Sequence, residues 1–139
     1  MKHNRIWLPL LLLILALCAM SVAASAAGST VVYLADDGKG DGSSPESPVG
    51  SLTAAYDALD LTKDCTVVLV GKFTQKATFI RKEAYTGSVT LTSVYDGKDY
   101  RQNGAVYEFV ACRFVLFGDT TFENMNFNAL GTNLLVVAQ

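Results

Sequence analysis

Histidine and tryptophan are almost missing from this sequence. His3 is the single histidine and Trp7 the single tryptophan among 139 residues, and both stand in an apolar N-terminal segment. Everything after that segment lacks the residues for a Ser-His-Asp or Cys-His mechanism and for a His-ligated zinc site. It also lacks the tryptophan platform common at sugar-binding surfaces, a role that six tyrosines are free to take. Positive charge is scarce too. The chain has 11 Lys and Arg against 13 Asp and Glu, and Lys2 and Arg5 belong to the N-terminal segment, so the remainder carries a net charge of −4. With no basic cluster to neutralise phosphates, nucleic acid and anionic membrane surfaces are excluded as partners.

The N-terminal segment itself is the clearest signal present. Met1-Lys2-His3-Asn4-Arg5 is short and basic, Ile6 to Val22 is almost wholly apolar, and small residues follow from Ala23 to Gly28. A positive start, an apolar middle and an A-x-A site form a secretory signal peptide. Ala24-Ser25-Ala26 presents the small side chains, which places cleavage between Ala26 and Ala27. A permanent anchor needs about 20 apolar residues; here the run is slightly short and carries Pro9. Acylation of Cys18 as a lipoprotein calls for a small residue before it, and Leu17 is not small. The expectation is residues 1–26 as a signal peptide, residues 27–139 as the exported part, secreted or held at the cell surface through a region outside this sequence, and no membrane contact after cleavage.

Within residues 27–139, Thr30 to Leu34 is a β-branched run that reads as a strand. A stretch rich in Gly, Pro, Ser and acids follows, Asp36 to Pro48, and reads as an exposed loop. Leu52, Ala55, Tyr56 and Leu59 then fall at i, i+3, i+4 and i+7, one face of a two-turn helix with Ser51 as its N-cap. From Thr66 onward the segments are short and strand-like: Thr66 to Val70, Ala77 to Ile80, Val89 to Val94, Ala105 to Val110, Arg113 to Phe117, Thr120 to Phe127 and Leu134 to Ala138. The domain is therefore mainly β after one helix. Val67, Val89, Phe114 and Leu134 recur at steps of 22, 25 and 20 residues, a spacing that suits a solenoid adding one rung per turn. A small β-sandwich is the alternative. In Phe122 to Asn128, asparagines alternate with apolar residues; they form either amide ladders at rung corners or the solvent face of a strand. Cys65 and Cys112 sit in apolar strand segments and read as two buried free thiols, a disulfide being the alternative.

Taken together, the strand at Val31–Leu34, the acidic Gly-rich stretch Asp37 to Pro48, the helix at Leu52–Leu59 and the segment Cys65 to Gly71 resemble the start of bacterial right-handed parallel β-helix proteins of the pectate-lyase-like superfamily. Gly118 to Phe127 is similar to a rung in which two short strands meet at an Asn corner. The resemblance implies a β-helix whose short N-terminal helix caps the first rung, with residues 27–139 as that cap and the first rungs. Because Leu134 to Gln139 is apolar with no polar cap after it, the expectation is a chain truncated at its C-terminus.

Superfamily members often cleave acidic polysaccharides, using a basic residue and carboxylate-held Ca²⁺. No residue here carries over as catalytic. Asp96, Lys98, Asp99 and Arg101 come closest and read more simply as a solvated turn. The loop from Asp37 matches an EF-hand pattern at Asp37, Asp41 and Gly42 but places Lys39 and Pro48 at two ligand positions. A looser calcium site drawing on Asp36, Asp37, Asp41 and Glu46 is the weaker option, and no cofactor is the main expectation. The functional expectation is a non-catalytic part of an exported or cell-surface protein, associated with carbohydrate binding or adhesion through polysaccharide or surface glycan. The alternatives are the front of a polysaccharide lyase or glycoside hydrolase and a secreted β-sandwich interaction module.

Overall fold

A computed structural model describes residues 28–81, 85–116, 118–131 and 135–138. The expected signal peptide with its expected cleavage site at Ala26 and Ala27, Phe117 and Leu134 lie outside the described residues. The chain is mainly β. The strands are β1 (Val31–Leu34), β2 (Cys65–Leu69), β3 (Lys72–Gln75), β4 (Phe79–Arg81), β5 (Val89–Thr92), β6 (Val94–Tyr95), β7 (Lys98–Asp99), β8 (Val106–Phe109), β9 (Arg113–Leu116), β10 (Thr120–Glu123), β11 (Phe127–Ala129) and β12 (Leu135–Ala138). One helix, α1 (Leu52–Ala58), lies between β1 and β2, and a 3₁₀ turn (Tyr100–Asn103) follows β7. Three sheets are wholly parallel, in the orders β1-β2-β5-β10, β11-β8-β3 and β12-β9-β4, while β6 and β7 form an antiparallel hairpin. Long parallel ladders are not the antiparallel pairing of the small sandwich considered above.

Inward columns explain the stacking. Val32, Val67, Leu91 and Phe122 share one register column of the first sheet. Phe73, Tyr107 and Phe127 share one in the second, and Phe79 is paired with Phe114 in the third. Consecutive rings touch, with centroids 5.2 Å apart for Phe73–Tyr107 and 5.3 Å for Phe79–Phe114. Each such buried side chain contributes about 1.5–3 kcal/mol. Phe127, last in its column, is 50% exposed.

At the opposite end each edge strand is covered. The N–H groups of Tyr33 and Ala35 donate to the carbonyls of Gly42 and Val49, and the N–H of Val49 donates to Tyr33. The stretch expected as an exposed loop thus supplies the backbone partner of the β1 edge, and Gly38 and Gly40 lie so close to the 47–49 backbone that a Cβ would collide. Asp36 pairs with β3: its N–H donates to Lys72 O (2.8 Å) and its carboxylate accepts from Thr74 N–H (2.9 Å). Helix α1 covers β4, with Tyr56 against Phe79 (5.1 Å between centroids) and Asp57 paired with Arg81 at 2.6 Å. Its N-cap is Ser51, whose hydroxyl accepts from Ala54 N–H, and Leu52, Ala55, Tyr56 and Leu59 are buried as the periodicity requires.

Several sequence readings need correction. β3 was not recognised: its inward positions hold Phe73 and Gln75, so the apolar pattern is broken by a buried amide. The Ala77–Ile80 segment forms its strand later, at Phe79–Arg81. Thr120 to Phe127 splits into β10 and β11 at Asn124, which takes φ 50° and turns the corner. Val67, Val89 and Phe114 all reach the core, but not in one column: Val67 pairs with Leu91, Cys65 with Val89, and Phe114 stands on the third sheet. The hairpin inserted after β5 lengthens one turn and spoils the even spacing.

Candidate functional site

Of the two calcium candidates, Asp41 is already employed. One carboxylate oxygen of Asp41 accepts from the Ser43 N–H (3.0 Å), the Ser43 hydroxyl (2.7 Å) and the Ser47 hydroxyl (3.2 Å), and these bonds, the Ser43 hydroxyl foremost, hold its pKa below the usual carboxylate range. Asp41 is the staple of its loop. Asp37 is exposed. Asp36 is engaged with β3 as described, and Glu46 lies elsewhere, near Tyr33 and Tyr100. Among the described residues no group of three or more His, Cys, Asp or Glu side chains is placed to hold a metal ion. Cys65 and Cys112 are buried and free, their thiols donating to the carbonyls of Asp60 and Gln75.

The charged segment Asp96 to Arg101 is a built turn. Asp96 (φ 49°) and Gly97 (φ 73°) form the two-residue loop of the β6–β7 hairpin, a geometry that Asp-Gly favours because both positions need positive φ. Asp99 then caps the 3₁₀ turn. It accepts from Arg101 N–H (3.0 Å) and takes the guanidinium through Nε (2.9 Å) and Nη2 (2.7 Å), so Arg101 holds its carboxyl below the usual range.

This hairpin folds back over the outer face of the first sheet. The Tyr100 N–H donates to Ser93 O (2.9 Å), and Val68 and Thr92, which point outward by strand alternation, are buried all the same. Beside them three tyrosines converge from separate parts of the chain. Tyr33 comes from the outward position of β1, Tyr95 from β6, and Tyr100 from the 3₁₀ turn. The Tyr33 and Tyr95 rings meet edge-to-face at 6.3 Å, and the Lys98 ammonium stands 4.8 Å from the Tyr100 ring centroid. Tyr33 and Tyr95 are half-buried, while Glu46, Asp96 and Lys98 are exposed at the margin. Burial first, then the neighbouring Tyr95, Asp96 and Glu46, raises the Tyr33 phenol above its ordinary pKa; burial, Tyr33, Glu46 and Asp96 do the same to Tyr100. The result is a ledge of neutral phenol rings edged by carboxylates. Tyr33 and Tyr95 show part of their rings at the surface with hydrogen-bonding groups around them, while Tyr100 is buried beneath Lys98.

Two other places are less suited to a ligand. A shallow groove of about 190 Å³ lies between Ser51–Thr53 and Phe73–Phe79. The Gln75 amide at its floor is already committed, Nε2 donating to Ala77 O (2.9 Å) and Arg113 O (2.8 Å), and Oε1 accepting from the Tyr107 hydroxyl (2.7 Å). On the outer face of the second sheet Glu108 accepts from Lys72 (2.7 Å), Asn128 (3.3 Å) and Thr74 (3.4 Å). The amide of Asn128 therefore meets a carboxylate on the solvent face of its strand, the second of the two readings the sequence left open. The phenols of Tyr56 and Tyr107 are buried and pushed far above their ordinary value by desolvation, which removes them from acid–base work near neutrality.

Sequence reading noted tyrosines as a possible platform without naming which. No pattern within the chain joins Tyr33 to Tyr95 and Tyr100; the sheet order does. No protein-family model, curated protein or solved structure matches the chain. No helix among the described residues is long and apolar enough to cross a membrane.

Proposed function

We propose that this chain is the exported, capped beginning of a right-handed parallel β-helix of the pectate-lyase-like kind, and that it serves as a non-catalytic carbohydrate-binding or adhesive part of a secreted or cell-surface protein. The parallel sheets, each adding strands in chain order, and the covered edges of β1, β3 and β4 support the fold. The observation that carries the function is the ledge: the half-buried rings of Tyr33 and Tyr95 meet edge-to-face on an outer face, with Tyr100 buried beneath Lys98 and the exposed Glu46 and Asp96 near enough to act on the Tyr33 phenol. Sugar rings bind by laying their C–H faces on aromatic rings while polar groups at the edge fix their hydroxyls, and tyrosine supplies area at low entropy cost.

The test is titration of the secreted protein with soluble polysaccharides, read by tyrosine fluorescence, since the only tryptophan lies in the signal segment. Binding that falls at least tenfold in Tyr33→Ala and Tyr95→Ala, with folding intact by circular dichroism, supports the reading. Equal binding by these variants, or binding of no polysaccharide, overturns it. Intact mass of the secreted protein tests the export step, with an N-terminus near Ala27 expected.

A further inference from the structure

We propose that Tyr33 and Tyr95 are a site of oxidative cross-linking, where their rings join as dityrosine and fasten the β6–β7 hairpin to β1. The oxidant is hydrogen peroxide acting through a peroxidase. The site does not depend on glycan binding.

Of the six tyrosines, four are out of reach of a large oxidant: Tyr56 and Tyr107 are 0% exposed, Tyr100 5% and Tyr85 9%. Only Tyr33 and Tyr95 show part of their rings at the surface, and each is the other's neighbour, with centroids 6.3 Å apart. Tyr56 and Tyr85 are nearly as close, at 6.4 Å, but lie in the core, so proximity and access coincide at one pair alone. Tryptophan, the side chain most readily oxidised by one electron, is absent after residue 7, and the thiols of Cys65 and Cys112 are buried. Each phenol gives up one electron and one proton, and the peroxide takes two of each to become two waters. The two phenoxyl radicals couple through ring carbons ortho to their oxygens. One C–C bond forms, and the two ortho hydrogens pass to the oxygens as the rings regain aromaticity. The net loss is two hydrogen atoms. The rings now meet at 83°, and rotation about the terminal side-chain torsion, which is broad for tyrosine, brings ortho carbons together. The new bond closes a loop across 62 positions of the chain, and a cross-link of that span stabilises a fold by restricting the unfolded ensemble.

The experiment treats the purified protein, at low concentration, with a peroxidase and hydrogen peroxide. Intact mass, dityrosine fluorescence and cross-linked peptides after digestion are the readouts. The expected product is a monomer lacking two hydrogen atoms, whose cross-linked peptide joins Tyr33 to Tyr95. Tyr33→Phe and Tyr95→Phe keep the ring and remove the phenol, and each should abolish that monomeric product. The cross-linked monomer should melt about 5 °C or more above an equally treated Tyr95→Phe variant. Absence of a cross-linked monomer, a link between other tyrosines such as Tyr56 and Tyr85, or a link only between separate molecules overturns the proposal. So does an intramolecular product that persists in either variant. Equal melting temperatures refute the fastening of the hairpin.

Discussion

Gln75 and Tyr107 form a buried polar link whose removal tests how the sheets are tied together. Gln75 is 4% exposed and Tyr107 fully buried. The Gln75 amide joins the turn after β3 to Arg113 of β9, and its oxygen accepts from the Tyr107 hydroxyl. Tyr107→Phe keeps the ring in its aromatic column and leaves the amide oxygen without a partner. An unsatisfied buried acceptor costs about 1–3 kcal/mol. Gln75→Leu strands three groups, the carbonyls of Ala77 and Arg113 and the Tyr107 hydroxyl, and should cost more, about 3–5 kcal/mol, because these penalties accumulate with incomplete additivity. The double variant should recover at least about 1 kcal/mol relative to the sum, since the phenylalanine no longer carries an orphan hydroxyl. Urea unfolding of the purified protein by far-ultraviolet circular dichroism measures all three. Losses of this size are large against the 5–15 kcal/mol typical of a domain. A Tyr107→Phe variant within about 0.5 kcal/mol of the parent, or strict additivity of the pair, refutes the reasoning.

Other outcomes follow from single sites. Gly87→Ala would drive its Cβ into the backbone carbonyl of Lys63 and should destabilise by about 2 kcal/mol or more, read as a lowered urea midpoint. Ala111 takes φ 48°, a conformation costing about 1–2 kcal/mol for an L-residue, so Ala111→Gly should raise stability by about 0.5–1 kcal/mol after the glycine entropy is subtracted; destabilisation would contradict the backbone geometry. Acid should weaken the fold in a defined window. Asp60, held down to about 2 by Lys63 and Thr62, and Glu108, Asp64 and Asp99, held down by Lys72, Ser88 and Arg101 respectively, have folded values below their unfolded ones. Their contribution is full above the ordinary carboxylate range near 4 and is lost as pH falls through the folded values. The melting temperature should thus drop between about pH 4 and pH 2, less steeply in Asp60→Asn, and a flat profile there would count against these pairings.

Helix α1 was legible in the sequence because its cause is local. Ser51, Leu52, Ala55, Tyr56 and Leu59 are close enough along the chain for 3.6-residue periodicity and an N-cap to show. The mainly β character was legible for the same reason, since runs such as Thr66 to Val70 and Arg113 to Val115 display β-branched and apolar residues in order. Charge and the scarcity of histidine after residue 3 narrowed the chemistry before any fold was known. Register belonged to the tertiary structure. Which residue stacks on which depends on turn lengths, and the β6–β7 hairpin and the corners at Ala111 and Asn124 change those lengths without any periodic trace. Gln75 could be recognised as a core residue only once Tyr107 and the carbonyls of Ala77 and Arg113 surrounded it, because a polar side chain enters a core when distant partners satisfy it. The ledge is the same case at the surface. Tyr33 and Tyr95 lie far apart along the chain and within 6.3 Å in space, brought together because β1 and the hairpin after β5 meet on one face of a sheet whose order only long-range pairing sets.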